Sequence, residues 1–273
     1  MADRDLPAFF ELSGQELMPA PHARSAWSPD MLHGRLLGGL LARALEREQA
    51  APGFHFSRLT VDLFKNSKLV PLRVQTTRVR DGRRIRVADA VVLGPDGPIA
   101  RASSVQLKRT EHPTGEIPAT PAWDIPEPAT LGPAPSTDRP GQWSVPWDLW
   151  MFDPDGKVTT NWRGENCRRA WLRDTHELVA GESLSPFVRL GLAADFASPL
   201  AVGGSNGLEF INADYTLYLR RLPCGEEIGL EANGYAGEDG IAVGSCVMHD
   251  TAGPIGFCNI AAVANPTASL GKA

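Results

Sequence analysis

Asp195 is the side chain best placed to do chemistry, because it continues a run from Phe187 to Ala194 that is apolar or small apart from Arg189. A carboxylate carried into such surroundings costs several kcal/mol unless it is hydrogen-bonded. Once there, it can serve as a general base that activates water. The same residues also fit a helix that stops here and leaves Asp195 in solvent, since Ser198-Pro199 follows. Six histidines, at positions 22, 33, 55, 112, 176 and 249, never pair at i, i+4 or with a CxxC, so no metal site is expected. Gly203-Gly204-Ser205-Asn206-Gly207 matches the GxSxG elbow of serine hydrolases. That elbow needs a strand-to-helix turn, whereas this one follows a helical pattern and precedes a strand pattern, so it reads as a loop.

The elements that hold Asp195 in place come in two copies. Residues 113–142 carry eight prolines with little hydrophobic periodicity, the pattern of an extended connector. The chain therefore divides into an N-terminal unit, 1–112, and a C-terminal unit, 143–273. On both sides of the connector the same landmarks recur in the same order. Ser28-Pro29 and Ser185-Pro186 each open a helix, serine as cap and proline at the first turn. Strand-like runs follow, Phe56 to Lys65 and Phe210 to Arg220. Paired turns come next, Asp81-Gly82 and Asp96-Gly97 in one half, Asp239-Gly240 and Ala252-Gly253 in the other. The three spacings are 157, 158 and 156 residues, which points to a duplicated α+β unit of one helix and an antiparallel meander.

Bulk properties narrow the function further. A net charge of −5 and a pI near 5.7 lack the basic excess that nucleic acid binding requires. The N-terminus has no signal-peptide pattern and no apolar run reaches membrane-spanning length, so a cytoplasmic chain is expected. Cys167, Cys224, Cys246 and Cys258 form no CxxC and read as reduced thiols.

The segments Leu184 to Phe196 and Phe210 to Leu219, with Gly38-Gly39 and the hairpin Arg80 to Arg84 in the first half, resemble the acyl-CoA thioesterase II family and its actinobacterial relatives. The resemblance spans about residues 22–109 and 143–265. It implies a double hotdog, two tandem helix-wrapped antiparallel sheets forming a pseudo-dimer within one chain. It also implies hydrolysis of fatty acyl-CoA to free acid and coenzyme A, a role in fatty acid metabolism, and no cofactor. Association into a homo-oligomer is compatible with it.

By the same resemblance Asp195 falls on the family's catalytic aspartate and Asn212 on its water-orienting threonine. The family's glutamine falls at Ile260, with Asn259 adjacent but on the opposite strand face unless a bulge intervenes. Loss of that glutamine leaves open a weakened or inactive acyl-CoA-binding protein. His33-Gly34 matches the glycine turn of single-hotdog thioesterases, where backbone amides polarise a carbonyl, although a surface or core histidine fits as well. Arg78, Arg80, Arg84 and Arg86 alternate along the first hairpin and either hold coenzyme A phosphates or solvate a sheet face. His33 with Asp30 is the sole pair suited to a hydratase. In the first helix no carboxylate matches Asp195, and Glu46 falls near the helix's solvated end, so one active site per chain is expected. Trp143, Trp147 and Trp150 recur at helical spacing, as a lid over an acyl chain or as core packing.

Overall fold

The computed structural model describes residues 6–135, 145–164 and 168–265. An eleven-stranded antiparallel sheet forms the body of the molecule. Its N-terminal half contains β3 (Phe54–Leu63), β4 (Arg73–Asp81), β5 (Ile85–Gly94) and β6 (Gly97–Lys108), in the order β4-β5-β6-β3. The C-terminal half contains β10 (Phe210–Leu219), β11 (Glu227–Glu238), β12 (Ile241–Asp250) and β13 (Gly253–Ala264), in the order β10-β13-β12-β11. These are the same four-stranded meander run in opposite senses, joined where β3 pairs with β10. Strands β7 (Trp147–Phe152), β8 (Val158–Thr159) and β9 (Arg169–Asp174) extend the C-terminal edge, and a separate hairpin, β1 (Phe10–Ser13) with β2 (Glu16–Pro19), precedes the first helix.

Helix α1 (Gly34–Gln49) buries Leu36, Leu37, Leu40, Leu41 and Leu45 on one continuous face. Two mid-helix glycines weaken it in isolation by about 1 kcal/mol each relative to alanine. Packing explains them: a Cβ at Gly38 would sit 1.6 Å from the Tyr215 hydroxyl and 2.7 Å from the Gly191 carbonyl oxygen. Gly38 and Gly191 mark where α1 crosses α2 (Pro186–Ala193), and Tyr215 closes the crossing by donating to the Gly191 carbonyl at 2.9 Å.

Ser185 caps α2 as expected, its hydroxyl accepting from the Val188 amide at 3.2 Å, with Pro186 at the first helical position. The matching expectation in the first half is corrected. Ser28-Pro29 lies in a turn, and α1 begins at Gly34 with His33 as its cap, the imidazole Nδ1 accepting from the Arg35 amide at 3.3 Å. The tryptophan spacing is corrected too: Trp147 and Trp150 lie on strand β7, while Trp143 falls outside the described residues. Cys224, Cys246 and Cys258 are free thiols, and Cys167 is outside the described residues.

The connector is more than a tether. Trp123, Ile125 and Leu131 pack against Trp150, Phe152 and Trp171, a second small core on the outer face of the C-terminal sheet. Trp171 and Trp150 donate their indole N–H groups to the Pro126 and Gly132 carbonyls, both at 3.0 Å.

Candidate active site

Helix α2 stops one residue before the turn that carries Asp195. Pro199 has no amide to donate to the carbonyl of residue 195, four positions back, and its ring crowds that carbonyl. The helix accordingly gives way to a 3-10 turn, Ala194–Phe196, before α3 (Ala197–Val202) resumes. Neighbours hold the break open: Arg35 Nε donates to the Leu192 carbonyl at 3.3 Å, and Cys258 Sγ reaches the Ala194 carbonyl at 3.6 Å. Asp195 is thus neither inside a continuous helix nor in solvent. Its side chain is 13 % exposed, at the floor of a cavity.

Asn212 reaches Asp195 because of a fault in β10. Residues 212 and 215 of a regular strand point to opposite faces. The β10–β13 register slips between Asn212 and Asp214, so that Asn212 lies across from Ala262 while Tyr215 lies across from Ile260. This bulge turns Asn212 to the same face as Tyr215, toward the helices. Its amide then donates to Asp195 Oδ1 at 2.8 Å, which leaves its own carbonyl oxygen available as an acceptor.

The third wall is the N-terminal turn of α1, from the other half of the molecule. His33 and Gly34 line the cavity, and the Gly34 Cα carries so little that a Cβ there would lie 3.6 Å from Asp195 Oδ2. His33 Nδ1 is 3.8 Å from the same oxygen. No ion pair forms between them, because Nδ1 is already accepting from the Arg35 amide and burial, then the Arg35 charge, pushes the imidazole down to about 3. The ring is neutral, with its edge against Trp147. Burial pushes the Asp195 carboxyl up from its ordinary range, and the Asn212 amide together with the Arg35 charge and main-chain N–H offset part of that rise. Arg35 itself is buried, ion-paired to Asp174 and stacked over the Trp147 ring at 4.3 Å.

The cavity, about 320 Å³, occupies a fork. Strands β3 and β10 pair from Arg58 to Asp62 against Tyr218 to Asp214, then diverge. Leu63 to Ser67 form one prong and Ile211 to Ala213 the other, with Trp27, Met31 and Leu37 supplying apolar wall.

Asp195, Asn212, His33 and Gly34 are therefore brought together. Ile260 is buried in the core beside Gly244, and Asn259 is exposed on the far sheet face. The register of β13 is unbroken from Gly256 to Ala261, so no bulge turns Asn259 inward; the residue across from Asn212 is Ala262. Arg78, Arg80, Arg84 and Arg86 lie at the β4–β5 tip, at the Phe54 end of β3, roughly 30 Å from the Leu63 end at the strand's usual rise. Arg78 and Arg86 are tied there to Asp81. Asp30 does not line the cavity and hydrogen-bonds through its amide to Ser28. The Gly203–Gly207 segment is a turn between α3 and β10 with Ser205 exposed. No group of three or more potential metal ligands occurs among the described residues.

Sequence reasoning missed Arg35, Trp27 and the Phe64 to Ser67 prong. Arg35 could have been found, since a charge one residue inside an apolar helix calls for a partner as much as Asp195 does. The prong could not, because it becomes a wall only when β3 and β10 diverge.

Comparison with known families finds two matches: residues 23–107 fit the acyl-CoA thioesterase N-terminal domain, and residues 124–262 the C-terminal domain. Among solved structures, a conserved protein of unknown function with a hot dog fold from Alicyclobacillus acidocaldarius is 15% identical with TM-score 0.64, covering 97% of both chains. A tesB protein from Mycobacterium avium subs paratuberculosis is 12% identical with TM-score 0.61, over 86% of this chain and 88% of that one. The acyl-CoA thioesterase II TesB2 from Mycobacterium marinum is 13% identical with TM-score 0.56, over 84% and 89%. No curated protein matches. The shared architecture is the double hotdog.

Proposed function

Because this chain belongs to the acyl-CoA thioesterase family, we propose that it hydrolyses fatty acyl-CoA by water activated at Asp195, as a cytoplasmic enzyme of fatty acid metabolism. The hydrogen bond from Asn212 to Asp195 at the floor of the cavity carries this reading. Asp195 Oδ1 accepts from the amide, which leaves Oδ2 as the base, and Asn212 Oδ1 is the acceptor that aligns the water. A base with a raised pKa takes a proton more readily than an ordinary aspartate.

The balance of the step is simple. Water gives its proton to Asp195 and its oxygen to the thioester carbon. The carbonyl oxygen becomes negative and is met by the Gly34 amide at the positive end of α1. The C–S bond then breaks, and coenzyme A departs with the proton from Asp195. Neutral His33 packs beside the carboxylate without adding charge. The apolar walls, Trp27, Leu37 and Leu63, suit an acyl group.

A second reading, binding of acyl-CoA with little turnover, is favoured by Ala262 standing across from Asn212, since β13 contributes no amide to the cavity. Thiol release from a panel of acyl-CoAs, measured for wild type, Asp195→Ala and Asn212→Ala, separates the two. Hydrolysis lost in Asp195→Ala, by about 10²–10⁴-fold as for removal of a general base, supports the enzyme. Absent thiol release from wild type, with acyl-CoA still raising the melting temperature, supports the binding protein.

A further inference from the structure

The prong of the fork that sequence reasoning missed has a counterpart in the other half, and the two have been put to different uses. Phe64 and Lys65 follow β3 as Arg220 and Arg221 follow β10, with the Phe64 amide donating to Ile99 and the Arg220 amide to Ile255, both at 3.0 Å. In the C-terminal copy the cations are consumed inside the protein. Arg221 is clamped in a two-pronged ion pair to Asp250, whose side chain is fully buried, and Arg220 donates to the Pro254 carbonyl at 2.8 Å. In the N-terminal copy Lys65 is exposed and reaches only the Asp96 carbonyl, at 3.4 Å. Lys68 is exposed three residues on. Phe64 is 51% exposed, and the Arg101 guanidinium, held by Asp62 at 2.7 Å, lies 5.9 Å from its ring centroid.

An exposed ring and the Lys65 ammonium in the cavity wall, with exposed Lys68 three residues on, on a chain of net charge −5, describe a local site for a planar, polyanionic group. We propose that the nucleotide end of coenzyme A is held at this rim, its adenine on the open face of Phe64 and its phosphates at Lys65, with Lys68 adding to the local field. This rests on the proposed acyl-CoA reaction and says which end of that substrate is recognised and where. The pantetheine arm would then enter the fork between Leu63 and Ala213 and bring the thioester to Asp195. Specificity for the carrier lies in the N-terminal half, while the base lies in the C-terminal half.

The test uses the full chain and two probes. Free coenzyme A is titrated calorimetrically at low and high salt into wild type, Phe64→Ala, Lys65→Ala and Phe64→Trp. Steady-state kinetics are run on octanoyl-CoA and on octanoyl-N-acetylcysteamine, which lacks the nucleotide. Loss of one stacking partner weakens coenzyme A binding by at least about fivefold, and Lys65→Ala flattens its salt dependence. Phe64→Ala raises KM for octanoyl-CoA at least about fivefold more than KM for the N-acetylcysteamine ester, the margin one lost stacking partner gives; Lys65→Ala raises KM for octanoyl-CoA alone, and by more at low salt than at high; Phe64→Trp restores binding. Equal coenzyme A affinity in wild type and alanine variants overturns the proposal, as does equal KM for the two esters in wild type. If coenzyme A binds in a Phe64-dependent way but neither ester is hydrolysed, the rim stands and the hydrolytic reading falls.

Discussion

At one end of the α1–α2 pair, the N-terminal turn of α1 faces Asp195; at the other end, the N-terminal turn of α2 faces Glu46. Each turn has a capping side chain directed at the carboxylate's neighbourhood, His33 in the first case and Ser185 in the second, where the serine hydroxyl donates to Glu46. Each carboxyl is pushed up by burial. Each adjoining strand, β10 or β3, carries a bulge at the same place, after Asn212 in one and after Phe56 in the other. The bulge turns both residues toward the helices, and there the likeness ends. Asn212 hydrogen-bonds the carboxylate and fronts a cavity, whereas Phe56 stacks on Phe187 with ring centroids 4.3 Å apart. A duplicated scaffold keeps its bulges and caps for backbone reasons, and a single side-chain choice at the bulge then separates a site from a plug.

Copying the plug into the site carries the largest expected effect. Asn212→Phe should lower kcat by at least about 10³-fold, since it removes the proposed water acceptor and fills the cavity where general base catalysis is worth 10²–10⁴-fold. Retained turnover in a folded Asn212→Phe would show that the water is held elsewhere. Emptying the plug comes next: Phe56→Ala should cost about 3–5 kcal/mol in denaturant unfolding, the usual cost of truncating a buried phenylalanine. A loss below about 1 kcal/mol would mean that the Phe56–Phe187 stack is not packed as described.

The pH dependence separates the two ends more gently. As the proposed base, Asp195 must be ionised, so kcat/KM should fall tenfold per pH unit below its raised pKa, with the acid limb above the ordinary 3.8. Stability moves the other way. A carboxyl whose folded pKa is raised adds its full share below the unfolded value and loses it as pH rises through the folded value. Asp195→Asn should therefore melt higher than wild type at neutral pH and show no gain below pH 3.8. Identical pH dependence of melting in the two proteins would place Asp195 in solvent. The smallest effect is expected at Glu46: Glu46→Gln, which keeps an acceptor for Ser185, should leave kcat within about twofold, far from the 10²–10⁴ of a general base. A larger loss would reveal a second active end.

The duplication was legible because its landmarks are local. Asp-Gly and Gly-Pro turns are fixed by backbone preference, and the structure shows Gly97 at φ 97 and Gly253 at φ 106, the same left-handed corner in both halves. Asp195 was legible because a carboxylate in an apolar run is costly. Other features needed tertiary information. Ser28-Pro29 has a helix-opening pattern, yet the backbone between it and Gly34 is used to place His33 at the cavity. Glu46 was taken as solvated, because nothing in its own helix announces that Ser185 will arrive from 139 residues away. The arginines of the first hairpin were grouped correctly with one another, but which end of β3 they flank depends on how the meander folds back.

What the sequence determined by itself is therefore the repeated unit, the cost that makes Asp195 notable, and the proline whose missing amide breaks the helix beside it. Those follow from short-range backbone chemistry and from desolvation, which need few neighbours to state. Only the tertiary structure decided that the α1 turn of one half would close over Asp195 of the other, that β3 and β10 would part to leave a fork, and that one bulge would present an amide and its twin a phenyl ring. Such facts depend on register and on contacts between residues more than a hundred positions apart, which no periodicity in a single chain encodes.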